Sequence, residues 1–417
     1  MSVYLLTTLD TKGDEAALVR SQLVHLGIDV VLVDTGCLGK PTVAADISRQ
    51  QVFTAAGTSL DEMVSGSDRG VAVTRAAEGA RKIVQEAHLA GKVDGVLGMG
   101  GSAGTTIGTS AMRGLPLGVP KLMVSTLASG QVRPYVGDKD ILMMNSVVDI
   151  AGINRISRQI LTGAAAAMAG MVRAASDNAD ASRETSTGDD KPLVAASMFG
   201  VTTPCVEHAR GVLEAAGYEV LVFHATGNGG QAMESLIDEG LLAGVLDITT
   251  TELADELVGG VLSAGSDRLT AAARCGVPQV VSVGATDMVN FGSRDSVPAK
   301  FEGRQFYQHN ATVTLMRTTA DECALLGAEI GRKVASAGEN ATVMLPLQGV
   351  SAIDRADQPF DDPLAREALF EGIRNHHGRA ELLELDHHIN DTAFADAAAQ
   401  KLIEMIKERR FDGTVST

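Results

Sequence analysis

The residues most able to do chemistry sit in a glycine run, Gly98-Met99-Gly100-Gly101-Ser102-Ala103-Gly104-Thr105-Thr106. Glycines turn tightly and let a ligand approach the backbone, and a helix opening just after them offers free N–H groups and a positive dipole end. That combination suits the phosphates of a nucleotide. No Lys-Ser/Thr pair follows, so the loop is not of the Walker A type, and Ala103 occupies the third glycine position of a G-x-G-x-x-G pattern. The counter-charge must then come from elsewhere in the chain or from Mg²⁺. Lys12, in Asp10-Thr11-Lys12 after the first apolar run, is one candidate, and Arg69, in Ser67-Asp68-Arg69-Gly70, is another. The hydroxyl-rich run Ser125-Thr126-Leu127-Ala128-Ser129-Gly130-Gln131 could complete the pocket or be an ordinary turn. Two rival readings stand beside the phosphate cradle. The glycines could serve only to seat a helix closely on a sheet. Positions 100–104 also spell G-x-S-x-G, the nucleophile elbow of a serine hydrolase, with Ser102 as nucleophile and His387 or His388 as its base.

A second concentration of polar residues follows three later apolar runs. It comprises His224-Ala225-Thr226-Gly227-Asn228-Gly229-Gly230, Asp247-Ile248-Thr249-Thr250-Thr251-Glu252 and Ala285-Thr286-Asp287-Met288-Val289-Asn290. A histidine and several carboxylates brought to one crevice would suit a small polar ligand, with His224, Asp247 or Asp287 as general acid or base. No H-x-x-x-H or HExxH pair exists, so no protein-bound metal is expected.

These loops need elements that aim them at common crevices. Val3-Tyr4-Leu5-Leu6, Gly27, Val30-Val31-Leu32-Val33 and Asp34-Thr35-Gly36 are echoed by 194–199, Gly217, Val220-Leu221-Val222-Phe223 and Ala225-Thr226-Gly227. Gly95-Val96-Leu97 and Gly118-Val119-Pro120 with 122–125 are echoed by Gly244-Val245-Leu246 and Gly276-Val277-Pro278 with 280–283. Continuous apolar runs alternating with helix-length segments describe strands buried on both faces. The expected fold is α/β, with two related Rossmann-like, doubly wound, mainly parallel domains and an insertion in the second. In such sheets ligands bind beyond the carboxyl ends of the strands, where these polar loops fall. Helix starts are expected at a capping box, Thr11-x-x-Asp14, and at Thr203-Pro204, and helix-length patterns run from Asp149 to Val172 and from Asp391 to Lys407. Between Ser176 and Lys191 no apolar side chain exceeds alanine, and five acids face two bases, the composition of a solvated linker. The domains are therefore expected at 1–175 and 192–417, joined by 176–191.

Composition removes other classes. A formal charge of −17 and only 4 Tyr, 10 Phe and no Trp argue against nucleic-acid binding. The four cysteines form no C-x-x-C pair, which fits a reducing cytosol. The start of the chain lacks a signal-peptide pattern, and the uncharged run from 95 to 112 contains six glycines, so neither secretion nor a membrane span is expected. A cytoplasmic protein is the expectation.

The longer motifs LDTKGDE (9–15), GMGGSAGTT (98–106), VSTLASGQ (124–131), FGVTTPCV (199–206), FHATGNGGQAME (223–234), LDITTTELAD (246–255), SVGATDMVNFG (282–292) and HIND (388–391) together resemble one family. It is the ATP-binding domain family named for the tomato mosaic virus resistance protein, otherwise made up of uncharacterised bacterial proteins. The resemblance runs from Val3 to about Ala397. It implies two Rossmann-like subdomains, ATP with Mg²⁺ in the first, and a homodimer or higher homo-oligomer. Carried over by position, the nucleotide loops are Asp10-Thr11-Lys12, then Gly100-Gly101-Ser102-Ala103-Gly104-Thr105, then Ser125-Thr126 with Ser129-Gly130. Ala103 stands where the family's plant member has glycine. That member continues into a TIM-barrel module resembling phosphoenolpyruvate-using enzymes, so a separate barrel protein is an expected partner. The expected function is ATP binding coupled to chemistry on a small polar metabolite, with a non-catalytic, nucleotide-dependent partner-binding module as the alternative.

Overall fold

Consecutive apolar residues are satisfied in a strand only when both faces are covered, and the Val/Leu runs meet that condition. The computed structural model describes residues 1–37, 39–66, 68–184 and 191–411, in unit 1 (Met1–Gly188) and unit 2 (Asp189–Thr417). Unit 1 runs β1 (Ser2–Thr7), α1 (Gly13–His25), β2 (Asp29–Asp34), α2 (Arg49–Ala55), α3 (Leu60–Ser65), α4 (Arg69–Leu89) and β3 (Gly95–Gly100). It continues through α5 (Ser102–Arg113), β4 (Lys121–Ser125), α6 (Arg133–Val136), β5 (Leu142–Asn145) and α7 (Arg155–Glu184). The five strands pair in parallel in the order β2-β1-β3-β4-β5. Val3, Leu5, Leu97 and Val124 bury one face of this sheet under α1 and α7, while Tyr4, Leu6, Val96 and Met123 bury the other under α4 and α5.

Unit 2 runs β6 (Leu193–Met198), α8 (Thr203–Ala215), β7 (Glu219–His224), α9 (Asn228–Asp238), β8 (Gly244–Thr249), α10 (Thr251–Val258), α11 (Ala271–Cys275) and β9 (Gln279–Gly284). Then come β10 (Met288–Phe291), β11 (Phe306–Asn310), β12 (Val313–Arg317), α12 (Ala320–Ala335), β13 (Ala341–Pro346), α13 (Pro363–Arg374), β14 (Glu381–Leu385) and α14 (Thr392–Phe411). Six strands form a parallel sheet ordered β7-β6-β8-β9-β13-β14. Its first five strands repeat the order of unit 1, as the internal sequence echo implies. Between β9 and β13 a small antiparallel sheet, β10-β12-β11, is inserted together with α12. Both units are thus α/β, with parallel sheets of Rossmann-like type.

Three local expectations change. Thr11 and Asp14 do not form a capping box: the residue before α1 is Lys12, without a side-chain cap, and the Thr11 hydroxyl bonds that of Thr8 at 2.8 Å. Helix α7 begins at Arg155 rather than near Asp149, because the Asn154 carboxamide accepts the N–H groups of Ile156 and Ser157 and so sets the start. It then runs on to Glu184, through polar residues read as linker, since Ala, Arg and Glu there are good helix formers. Residues 185–190 of that linker lie outside the described residues, as does Ser67 beside Arg69.

Charge divides unevenly. Residues 1–188 carry 17 Lys and Arg against 18 Asp and Glu, and residues 189–417 carry 18 against 34. Nearly all of the net −17 therefore belongs to unit 2.

Candidate functional site

The order β2-β1-β3 means that the chain leaves β1 to one side and later reaches β3 on the other. Such a switch point opens a crevice where the two following loops part. A cavity of about 240 Å³ lies there. Thr8, Asp10, Thr11 and Lys12 line it from the β1–α1 loop, Thr35 and Cys37 from the end of β2, and Arg69 and Val73 from α4. Gly101, Ser102, Ala103 and Gly104 line it with Ile107 at the start of α5. The sequence-based nucleotide residues Asp10, Thr11, Lys12, Arg69 and positions 101–104 thus share one cavity.

The glycines separate into two kinds. A Cβ on Gly98 or Gly108 would lie 2.6 or 2.9 Å from Met123 Sδ, and one on Gly100 would lie 2.8 Å from Gly104 Cα. These residues let α5 lie close on β3 and β4, which is the packing role. At Gly101 the nearest atom to an added Cβ is Thr126 Oγ1 at 3.6 Å, an ordinary contact. Gly101 precedes α5 without a side-chain cap, and no acid occupies the first turn. The first N–H groups of a twelve-residue helix are therefore left for whatever fills the cavity.

Cationic groups come from two directions. Arg69 is the exposed first residue of α4, whose N-terminus Asp68 caps through the N–H groups of Gly70 and Val71. Lys12 donates from Nζ to the Ile150 carbonyl at 2.7 Å. Asp10 serves the wall rather than the opening. Its carboxylate accepts the Gly39 N–H at 3.0 Å and lies 3.8 Å from the Arg49 guanidinium. Arg49 in turn donates to Asp34 at 2.7 Å, and Asp34 accepts the N–H groups of Leu9 and Gly36. This buried network fixes the turns after β1 and β2 relative to each other. Burial, followed by the Asp10 charge, raises the Cys37 thiol above its ordinary range, so Cys37 lines the cavity as a neutral group.

The remaining nucleotide candidates are not among the residues that line the cavity. Gly100 ends β3. Thr105 is buried and bonds the Gly101 carbonyl and the Ser125 hydroxyl, and Ser125 Oγ accepts the Leu127 N–H. Thr126 N–H bonds the Gly100 carbonyl, and Ser129 and Gly130 lie in the exposed turn beyond β4. The hydrolase reading loses its geometry. Ser102 is an ordinary helical residue, absent from the positive-φ positions that an elbow requires, and the cavity it lines contains no histidine. His388, one of the two histidines offered as the base, accepts the Asn390 N–H at Nδ1 and donates from Nε2 to the Ser351 carbonyl, so both of its ring nitrogens are engaged.

In unit 2 the three acid–base candidates occupy three separate settings. His224 ends β7 exposed, its ring edge-on to Phe199 with centroids 5.5 Å apart. Asp247 is buried in a bidentate pair with Arg268 at 2.5 and 2.6 Å and accepts the Ser197 hydroxyl at 2.6 Å. Arg268 reaches on to Glu252 at 2.7 Å and to Glu234 at 3.3 Å. Burial works against its charge, but Asp247 and the two glutamates outweigh it and hold the guanidinium well above its ordinary pKa. Glu252 accepts the N–H groups of Gly227 and Gly230 at 2.7 and 3.1 Å, closing the start of α9. Asp287 accepts the Ser351 hydroxyl at 2.8 Å. Burial, then the Asp354 charge, pushes its pKa up to about 7, with Arg317 opposing. His224, Asp247 and Asp287, offered as alternative acids or bases, thus have different immediate partners, and both aspartates face groups of the chain itself.

Sequence reasoning missed Arg268, Arg49, Thr8, Thr35 and Cys37. The last three follow apolar runs and were findable by the same strand-end rule. Arg49 opens α2 just after its capping residue Ser48, and Arg268 lies in a turn; neither position carries a motif for ion pairing.

Comparison with known proteins follows the same two-part division. Residues 1–177 match the N-terminal domain of the Uncharacterised protein family (UPF0261), and residues 191–406 match its C-terminal domain, so the chain belongs to the UPF0261 family. A UPF0261 protein of Clostridium tetani is 45% identical over 408 residues, spanning 97% of this chain and 99% of that protein. The ToMV resistance protein Tm-1(GCR237) of Solanum lycopersicum is 40% identical over 426 residues, spanning 98% of this chain and 56% of that protein. Among solved structures, UDP-N-acetylglucosamine 2-epimerase from Rickettsia bellii aligns over 100% of this chain and 99% of its own, at 9% identity and a TM-score of 0.23. No described helix is long and apolar enough to cross a membrane.

Proposed function

We propose that unit 1 is a nucleotide-binding module that takes ATP with Mg²⁺, its phosphates held in the crevice between β1 and β3. The observation that carries this reading is the uncapped start of α5, facing a cavity that also receives Lys12 and Arg69. Free N–H groups, a dipole end and two cations around small residues favour an anion over a neutral ligand. A cavity of about 240 Å³ is below the usual range for a drug-sized ligand and suits the phosphate end of a nucleotide. Among the described residues no three His, Cys, Asp or Glu side chains form a metal cluster. Mg²⁺ would therefore arrive on the phosphates, with the Thr8 and Thr11 hydroxyls as neutral oxygens nearby. Bound ATP supplies the negative charge that this end of α5 lacks.

Between catalysis and nucleotide-dependent partner binding, the second is favoured, because Asp247 and Asp287 in unit 2 already face internal partners. The chain matches 56% of the longer tomato relative, and we propose a separate barrel protein as a partner whose association depends on nucleotide. A cytoplasmic homo-oligomer is part of the same reading. Calorimetric titration with ATP and Mg²⁺ tests it, beside Lys12→Ala and Gly101→Val. Binding in the parent, weakened about tenfold or more in both variants and without ADP or AMP formation, is the expected result. A parent that binds no nucleotide would overturn it, and steady product formation would restore the catalytic reading.

A further inference from the structure

Lys12 lines the cavity, yet its ammonium is tied to the Ile150 carbonyl at 2.7 Å. Ile150 is buried in the core beneath α1 and α7 and anchors the middle of the loop 146–154. A second tie to α1 comes from the Gly152 N–H, which donates to Glu15 at 2.6 Å. Between β5 and these anchors stands Val147. Its φ is +62°, and 72% of it is exposed. A β-branched residue in the left-handed region is strained, and an exposed valine has no packing of its own to impose that conformation. Neighbouring bonds hold it: Val147 N–H to the Asn145 side chain, Val148 N–H to the Ser146 carbonyl, and the Ser146 hydroxyl to the Val148 carbonyl. Strain of this kind persists only where the surroundings over-determine it.

Resting on the nucleotide reading above, we propose that Lys12 is a two-position latch: with the crevice empty it ties down the loop 146–154 through Ile150, and with phosphate bound it turns to the phosphate and releases that loop. A lysine ammonium is a point charge on a flexible stem, and a phosphate oxygen attracts it more strongly than a neutral carbonyl does. The loop that loosens is the one that carries a strained residue. Nucleotide state is thereby reported at the surface around Val147.

The sign of the effect makes the proposal testable, because ligands ordinarily slow hydrogen exchange wherever they have any effect. Amide exchange would be followed in peptides covering 98–106 and 146–154, with and without Mg²⁺–ATP and with inorganic pyrophosphate as a base-free probe. Calorimetry would run in parallel, and Lys12→Met would be measured without ligand. The expected result is slower exchange over 98–106 and exchange at least about tenfold faster over 146–154, the factor that corresponds to about 1.4 kcal/mol for a charge-assisted hydrogen bond. Lys12→Met alone should show the same faster exchange over 146–154 and no further response to ligand. If calorimetry registers binding while 146–154 is unchanged or slowed, the latch is wrong and the nucleotide reading stands. If nothing binds, that reading fails and the ligand-driven half of the latch fails with it. Unchanged exchange in ligand-free Lys12→Met would overturn the tether itself.

Discussion

The two units place the same strand order around two crevices and treat them oppositely. After β3, unit 1 continues Gly101-Ser102-Ala103-Gly104 into α5, with no acid in the first turn and a cavity in front. After the equivalent β8, unit 2 continues Thr250-Thr251-Glu252-Leu253 into α10, and Glu252 is buried at the second helical position. Its carboxylate takes the N–H groups at the start of α9 and the Arg268 guanidinium, which also holds Asp247. A Cβ on Gly230 would lie 2.1 Å from that carboxylate, so this glycine of the 223–234 motif makes room for an internal anion rather than an external one. Unit 2 turns the acid in the first turn of its post-β8 helix onto the start of α9 and Arg268, filling its crevice with its own side chains. Unit 1 has no acid in the first turn of α5 and leaves its crevice open. In unit 2 the glycine-rich loop meets negative charge from the chain's own Glu252, and in unit 1 the proposed ligand would have to supply it.

The largest expected effect comes from breaking the filled crevice. Arg268→Met leaves Asp247 and Glu252 buried without their counter-charge. Uncompensated buried charge of this kind costs about 3–5 kcal/mol. Urea unfolding followed by a probe in unit 2 should show that loss, with ATP affinity in unit 1 unchanged. A variant as stable as the parent would mean that the acids of unit 2 are solvated, and the contrast between the crevices would collapse. The next effect comes from making the open crevice resemble the filled one. Ala103 is the second residue of α5, as Glu252 is of α10. Ala103→Glu should weaken ATP binding about ten- to a hundredfold, the range of about 1.4–2.8 kcal/mol. Stability should stay within about 1 kcal/mol, because an acid near a helix N-terminus is mildly favourable. Undiminished ATP affinity in that variant would place the phosphates elsewhere.

How much of this was readable beforehand follows from the range of the interactions involved. Strands announced themselves because burial on both faces demands uninterrupted apolar runs, so Val3-Tyr4-Leu5-Leu6 and its echo at 194–199 marked the sheets and their repeat. The crevice residues of unit 1 were readable for the same reason, since they directly follow such runs. What a given aspartate does there was not readable. Asp247 has the position and type of a general base, and only Arg268, 21 residues away in an unremarkable turn, makes it a buried ion-pair member. Asp10 likewise looked like a ligand contact until Gly39 and Arg49 came into reach. The glycines were readable as a loop but not as two classes. Whether a Cβ crowds Met123 or makes only an ordinary contact, as at Gly101, depends on how closely α5 lies on the sheet. Short-range signals also failed where a competitor stood nearby: Thr11 had the right spacing for a cap and bonded Thr8 instead.

A third effect sharpens the comparison through pH. Asp287 lies beyond the end of β9 in unit 2, its carboxylate facing Ser351 and lying near Asp354 and Arg317, with Cys323 close by. Its folded pKa of about 7 stands above its ordinary value of 3.8, chiefly through burial. In the unfolded chain the group would lose its proton near pH 4, while in the fold it keeps it to about pH 7. Between those values the native state binds more protons, so this group's contribution is fully present below about pH 4 and lost as pH rises toward 7. Asp255, raised to about 7 mainly by burial as well, adds to the same window and to the same unit. A single proton limits the slope from Asp287 to about 1.4 kcal/mol per pH unit. Asp287→Asn, which keeps the shape and removes the ionisation, should flatten the decline in unit 2 stability between pH 4 and 7 by up to that slope. Unfolding curves at several pH values, read separately for the two units, would measure it. Unit 1, whose acids face Arg49, backbone N–H groups and an open cavity, should not share the change. An unaltered pH profile in the Asn variant would show that Asp287 is already ionised beside Arg317, and its carboxylate would then be one more internal charge with a full partner, as Asp247 is with Arg268.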